Sequence, residues 1–164
     1  VSPITTHINI KNVSKEITKN IIINKIKTID FYFKSLFKKK PRIALLGLNP
    51  HNSEFKKNSE ENKIIIPALN KVKNIGVNIS GPFAADTIFA NNYKKFDVIV
   101  GMYHDQVLAP FKALFKFKAI NITLGLKYLR ISPDHGTASD IIGKNKANPE
   151  SLLNCILSKP LKPQ

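Results

Sequence analysis

The chain has 164 residues, 43% of them hydrophobic and 23% charged, a balance that builds a packed core and excludes a disordered or fibrous chain. Its net charge of +15 rests almost wholly on lysine, Arg42 and Arg130 being the arginines. That argues against a reader of nucleic-acid sequence, which leans on arginine for bidentate contacts. The lysine excess reads as compositional bias, the run Lys38-Lys39-Lys40 as a solvated helix end, and the positive field as an attraction for phosphorylated or carboxylated small molecules.

Cys155 is the single cysteine, so no internal disulfide forms and a reducing compartment is expected. The longest apolar runs, such as 43–48, are too short to span a bilayer. No secretory leader is visible, and a cytoplasmic protein is expected. The first residue is Val1 rather than Met, which reads as a fragment or a processed chain.

In chain order, residues 14–37 carry Ile17, Ile21, Ile22, Ile26, Ile29, Phe33 and Phe37 near helical spacing, with a possible break into two helices at the β-branched stretch 20–24. Residues 43–48 read as a buried strand ended by Asn49-Pro50. Residues 58–76 read as one helix, with Asn58 and Glu61 as a capping pair, Gly76 as the stop and Pro67 as a kink. A weak strand at 77–80 is closed by Gly81-Pro82. Further strands are expected at 97–102 and 120–124, and a last helix from Pro149 to before Pro160. Short apolar runs alternating with helices predict an α/β fold, three layers of helix, sheet and helix around a mostly parallel sheet. In such sheets ligands lie beyond the carboxyl ends of the strands, where polar residues follow at once: Asn49 and His51, then Tyr103, His104 and Asp105.

The histidines are His7, His51, His104 and His135. A lone histidine is more often structural than functional, but three in strand-end settings make a usable Lewis-acid set. None has the local spacing of a known zinc motif, so the sequence does not show that they converge. Asp105 is placed to orient His104, to ligate a metal itself, or simply to cap the next helix. Lys112 and Arg130, with Asn121 between them, suit a phosphate or carboxylate; ordinary surface charge is the plainer reading, above all for Lys112. The small residues of Asp134-His135-Gly136-Thr137-Ala138 let backbone approach a flat ligand, with a helix expected to begin near Thr137. Neither GxGxxG nor a P-loop pattern occurs.

Six stretches in order, Thr5-Thr6-His7, GLNPH at 47–51, GPFAADT at 81–87, MYHDQ at 102–106, NITLGL at 121–126 and DHGTA at 134–138, strongly resemble the C-terminal half of the 4-hydroxythreonine-4-phosphate dehydrogenases. They begin at residue 5, and the resemblance continues past them to about residue 153. The segment from His135 to Pro149 also resembles the adenine loop of isocitrate and isopropylmalate dehydrogenases.

The resemblance implies that His7, His51 and His104 ligate a divalent metal, Zn²⁺ foremost, with Mg²⁺ or Co²⁺ as alternatives. It places His104 in the partner subunit of a homodimer, so that a single chain is expected to bring only His7 and His51 together. It makes Lys112, Asn121 and Arg130 substrate-binding residues, His104 and Asp105 catalytic ones, and His135, Gly136, Thr137, Ala138 and Asn148 the site of NAD or NADP. The implied fold is that of the isocitrate and isopropylmalate dehydrogenases without its N-terminal half. Residues 1–130 would bind metal and dimerise, and residues 131–164 would carry the cofactor loop and pack on the absent half. The implied reaction oxidises and decarboxylates 4-phosphooxy-L-threonine to 3-amino-2-oxopropyl phosphate in vitamin B6 synthesis. The alternatives are a related metal-dependent β-hydroxyacid oxidative decarboxylase, or a fragment without turnover. One departure stands out: residues 52–58 read Asn-Ser-Glu-Phe-Lys-Lys-Asn where many members are glycine-rich, which predicts a loop of different shape.

Overall fold

A computed structural model describes residues 1–158. The chain divides into two compact units, Val1–Phe111 and a second beginning at Lys112. This boundary separates contact clusters, whereas the one expected at 130/131 separates roles.

The first unit is built on a four-stranded parallel sheet in the order β1 (Ser2–Pro3), β4 (Val98–Gly101), β2 (Ile43–Leu46), β3 (Ile79–Phe83). Strand β2 lies inside the sheet and all four of its residues are buried, which is why it reads as an unbroken apolar run rather than an alternating one. Ala44, Leu46 and Ile99 join Ile88, Phe89 and Val107 in one core cluster. Ile43, Leu45 and Val100 alternate to the opposite face and are equally buried. Strand β3 does not close at Gly81-Pro82 as expected. It runs through that cis peptide to Phe83, and the Phe83 carbonyl accepts from Gly47 N–H at 3.0 Å.

Helix α1 (Lys19–Phe37) is one continuous helix through Asn20–Asn24. The break lies earlier, at Ile17-Thr18, where Thr18 caps the helix by accepting from Ile21 N–H at 3.3 Å. Its apolar stripe, Ile22, Ile23, Ile26 and Ile29, is buried. The expected helix over 58–76 is present in altered form. A wide turn over Glu61–Ile65 precedes α2 (Ile66–Asn74), and the local widening lies next to Pro67, which supplies no N–H. Ser59, not Asn58, accepts the capping bond, from Asn62 N–H at 3.3 Å. Helix α3 (His104–Phe115) follows β4 directly.

The second unit carries an antiparallel pair, β5 (Ile120–Thr123) and β6 (Arg130–Pro133), and helix α4 (Glu150–Leu157). Strand β6 carries no long apolar run and escapes a reading by pattern. Of the expected C-terminal segment 131–164, residues 159–164 lie outside the described residues.

Asp97 ties the start of β4 to the chain entering β2. Its carboxylate accepts from the Arg42 backbone N–H at 2.9 Å, from Arg42 Nε at 3.0 Å and from Lys39 Nζ at 2.9 Å. The Arg42 side chain is the largest influence, and these bonds together outweigh desolvation and hold the carboxyl far below its ordinary range. A depressed folded-state pKa stabilises the fold above the unfolded value, near 3.9, and that contribution drains away as pH falls below it. Asp97→Asn is therefore expected to lower the thermal midpoint at pH 7. The gap between the two midpoints should narrow steadily as pH is lowered from 7 to 2, and a gap constant with pH would refute the ionic origin.

Candidate functional site

Because every strand of the larger sheet runs the same way, three histidines follow three adjacent carboxyl ends: His7 after β1, His104 after β4 and His51 after β2. The β1 and β4 ends are joined by Ile4 N–H to Gly101 O at 2.7 Å and Thr5 N–H to Met102 O at 3.1 Å. This brings the His7 and His104 rings to a centroid separation of 5.7 Å, tilted by 42°. Within one chain the His7 ring thus lies beside His104, where the expected neighbour was His51. The reason is the strand order, which makes β1 and β4 neighbours.

His104 Nδ1 lies 2.8 Å from Asp105 Oδ1. With the proton on Nδ1, that carboxylate fixes the tautomer that leaves Nε2 free to donate a lone pair. Asp105 also occupies the first turn of α3, where its charge suits the helix N-terminus; it lies inside the helix rather than at the cap position.

Two nearby imidazoles of this kind fit a borderline divalent ion such as zinc better than magnesium, which prefers oxygen. Among the described residues no group of three His, Cys, Asp or Glu side chains converges to complete such a site. His51 is exposed and stands at the start of an unusual loop: His51, Asn52, Ser53, Glu54 and Phe55 all have φ between 49° and 55°. Left-handed backbone costs a non-glycine residue roughly 1–2 kcal/mol, so this chain follows with ordinary side chains a path that suits glycine.

Buried side chains hold that loop. Glu61 is fully buried, and its Oε1 accepts from Leu48 N–H at 2.9 Å and Asn49 N–H at 2.8 Å, while Asn49 Nδ2 donates to Oε2 at 3.2 Å. Burial pushes the Glu61 carboxyl up, but the hydrogen bonds from Asn49, its own backbone and Leu48 outweigh it and leave the pKa below its ordinary value. Asn52 Nδ2 donates to Pro82 O at 3.2 Å. The sequence placed Glu61 in a helix cap; its actual role answers a need visible in hindsight, since the N–H groups after a buried strand require an acceptor.

The second unit gathers the expected substrate residues. Asn121 pairs with Ser132 and Thr123 with Arg130 across the β5–β6 ladder. The alternation of strands therefore puts Asn121, Thr123, Arg130 and Ser132 on one polar face and the isoleucines on the other. Arg130 Nη1 donates to Thr123 Oγ1 at 3.0 Å, and Lys112 Nζ lies 3.5 Å from Asp134 Oδ1.

His135, Gly136, Thr137 and Ala138 form an exposed loop. The helix expected near Thr137 is only a three-residue turn, Ser139–Ile141. Asn148 Oδ1 accepts from Glu150 N–H at 2.8 Å, a local bond at the start of α4.

Residues 1–158 match the family described as pyridoxal phosphate biosynthetic protein PdxA. The chain belongs to this family. It is 50% identical over 158 residues to the 4-hydroxythreonine-4-phosphate dehydrogenase of Sulfurihydrogenibium sp. (strain YO3AOP1), covering 95% of this chain and 49% of that protein. It is 44% identical over 154 residues to the enzyme of the same name from Aquifex aeolicus, covering 93% and 48%.

The crystal structure of 4-hydroxythreonine-4-phosphate dehydrogenase from Klebsiella pneumoniae superposes with a TM-score of 0.80 at 37% identity, covering 93% of this chain and 47% of that one. A terephthalate 1,2-cis-dihydrodiol dehydrogenase from Burkholderia xenovorans LB400 superposes with a TM-score of 0.72 at 27% identity, covering 92% and 48%. The mostly parallel α/β architecture expected from the sequence is the family's. The chain spans about half the length of the curated relatives it matches.

Glu61→Gln replaces an all-acceptor group by one that presents a donor to donors. It is expected to cost about 1–3 kcal/mol of unfolding free energy in denaturant titration. It should also speed hydrogen exchange at the Leu48 and Asn49 amides. Exchange at wild-type rates would remove Glu61 as the anchor of the 47–51 loop.

Proposed function

We propose that this chain forms the metal- and substrate-holding half of a dehydrogenase that oxidises and decarboxylates 4-phosphooxy-L-threonine to 3-amino-2-oxopropyl phosphate in vitamin B6 synthesis. The observation that carries the reading is the His7–His104 pair at the carboxyl edge of the sheet, in a chain that belongs to the PdxA family. His7 and His104 would hold a divalent metal, Zn²⁺ in preference to Co²⁺ or Mg²⁺, with His51 as the third donor. In a homodimer that shares the site between subunits, the resemblance would have the partner copy supply His104. When bound, the metal supplies polarisation of the substrate hydroxyl, and NAD or NADP supplies the hydride acceptor.

The remaining work falls to the chain's own side chains. Arg130, steadied by Thr123, keeps its other guanidinium donors for the substrate's phosphate or carboxylate. Asn121 shares that face and would hydrogen-bond the same ligand. Lys112, held by Asp134, adds positive charge. Oxidation of the hydroxyl-bearing carbon gives a β-keto acid, which releases carbon dioxide from its carboxylate.

Helix α4 supports a partner segment. Its polar residues face inward, with Ser151 Oγ accepting from Asp134 N–H at 3.0 Å and Asn154 Nδ2 donating to Lys118 O at 3.0 Å. Leu152, Leu153, Ile156 and Leu157 are exposed. A helix turned this way needs an apolar cover. The half of the relatives' length that this chain does not span is the natural occupant.

A second reading, a related dehydrogenase with another substrate, draws on the likeness to the dihydrodiol dehydrogenase. Nicotinamide reduction should be followed with both substrates, with Zn²⁺, Co²⁺ or Mg²⁺, on this chain with the relatives' other half supplied. Turnover of the phosphorylated amino acid supports the first reading, and turnover of the dihydrodiol alone the second. No turnover of either would leave a non-catalytic fragment.

Gly136→Leu tests the cofactor loop. A side chain at Gly136 meets nothing within 4 Å, so the fold should tolerate it. The apparent KM for NAD is expected to rise at least roughly tenfold, the scale of 1.4 kcal/mol, with metal binding intact. An unchanged NAD titration would remove this loop from the cofactor site.

A further inference from the structure

We infer that Gln106 is a positioning residue, the central tie of a buried hydrogen-bonded chain that fixes the three histidine-bearing strand ends relative to one another. Its side-chain amide touches both flanks. Oε1 accepts from Met102 N–H at 2.6 Å, and Nε2 donates to Gly47 O at 2.8 Å, 59 residues away in sequence. Met102 is the next link: its carbonyl accepts from Thr5 N–H at 3.1 Å and from Thr5 Oγ1 at 2.8 Å. The path Thr5–Met102–Gln106–Gly47 thus crosses the carboxyl ends of β1, β4 and β2. Each link lies two to four residues from a histidine: Thr5 from His7, Met102 from His104, Gly47 from His51.

All four residues are buried, so water does not compete for these bonds, and their loss would leave unpaired polar groups in the interior. The packing around the amide is tight. A Cβ on Gly101 would meet Gln106 Oε1 at 2.8 Å and Val107 Cγ1 at 2.5 Å, so the amide is gripped where it lies. An amide is the group required, because one end must accept and the other donate. Glutamate could not donate to Gly47 O, and methionine could do neither.

The ligand chemistry of this inference rests on the metal reading proposed above, so the test carries one measurement that does not. In metal-free protein, the proton–proton contact between the His7 and His104 rings should be visible by NMR in the wild type. In Gln106→Met, which fills the same space without hydrogen bonds, that contact should weaken or vanish. Co²⁺ titration followed by visible absorption should then show affinity reduced about 10- to 100-fold, the usual consequence of losing an outer support, with an altered spectrum.

An intact ring contact with unchanged Co²⁺ affinity would overturn the inference, whatever happens to the thermal midpoint. A wild-type protein that takes up no Co²⁺ sinks the metal reading, and the ring contact then decides alone. If Gln106→Met fails to fold, Thr5→Val, which removes only the hydroxyl bond, should weaken the same contact, and Thr5→Ser should restore it. Equal behaviour of the valine and serine variants would count against the chain of bonds.

Discussion

The meeting of the histidine-bearing loops depends on four strands running in one direction. Parallel pairing sends every carboxyl end to the same edge, so residues far apart in sequence arrive together without any local motif. His7 and His104 are 97 positions apart, yet they lie side by side because β1 hydrogen-bonds to β4. The register is enforced by burial: a one-residue slip of β2 would exchange Ala44 and Leu46 for Ile43 and Leu45 on each face, against covers shaped for the native set. The apolar run at 43–46 therefore does more than build a core. It determines which loops meet.

The polar groups beyond those strand ends are handled in two ways. Where a loop must be immobile, the chain buries the partner: Glu61 under Leu48 and Asn49, Gln106 between Gly47 and Met102. A fully buried carboxylate without a cation beside it is normally costly. Here backbone and side-chain N–H groups compensate, so the charge persists and the loop is pinned. Where a side chain must be available, it stays exposed: His7, His51, Arg130 and the loop from His135 to Ala138. The contrast between pinned backbone and accessible side chains is the arrangement a binding site requires.

Much of this was legible in the sequence, for physical reasons that differ from element to element. The buried strands at 43–46 and 98–101 announce themselves as continuous apolar runs, and the α1 stripe by its spacing. The two-residue β1 and the four-residue β6 have no such signature, because their strandedness comes from partners rather than from pattern. Pro82 looked like the end of a strand; instead β3 continues across it and its far end pairs with Gly47. The histidine pairing went astray for the same reason: strand order is a property of the assembled sheet, and no local reading of His7 or His104 contains it. The residues that matter most behind the site, Gln106 and Glu61, are ordinary in type. Their importance lies in being buried with both ends of a polar group occupied, which only the fold reveals.

The loop after His51 brings local and global preferences into direct conflict. Five successive side chains occupy backbone that glycine would adopt without steric cost, an arrangement that persists only if surrounding contacts outweigh it. Those contacts are identifiable. Glu61 grips the two residues upstream of Pro50, and Asn62 Nδ2 donates to Lys56 O at 3.0 Å downstream. Asn52, a residue type that tolerates left-handed backbone, reaches Pro82 O in the middle. The anchors are polar and discrete, whereas the strain is spread evenly along the five residues. Each anchor therefore holds its own part of the turn against that strain, and together they set the direction in which His51 is presented. The loop is stiff because it is tethered at three points, not because its residues prefer the shape.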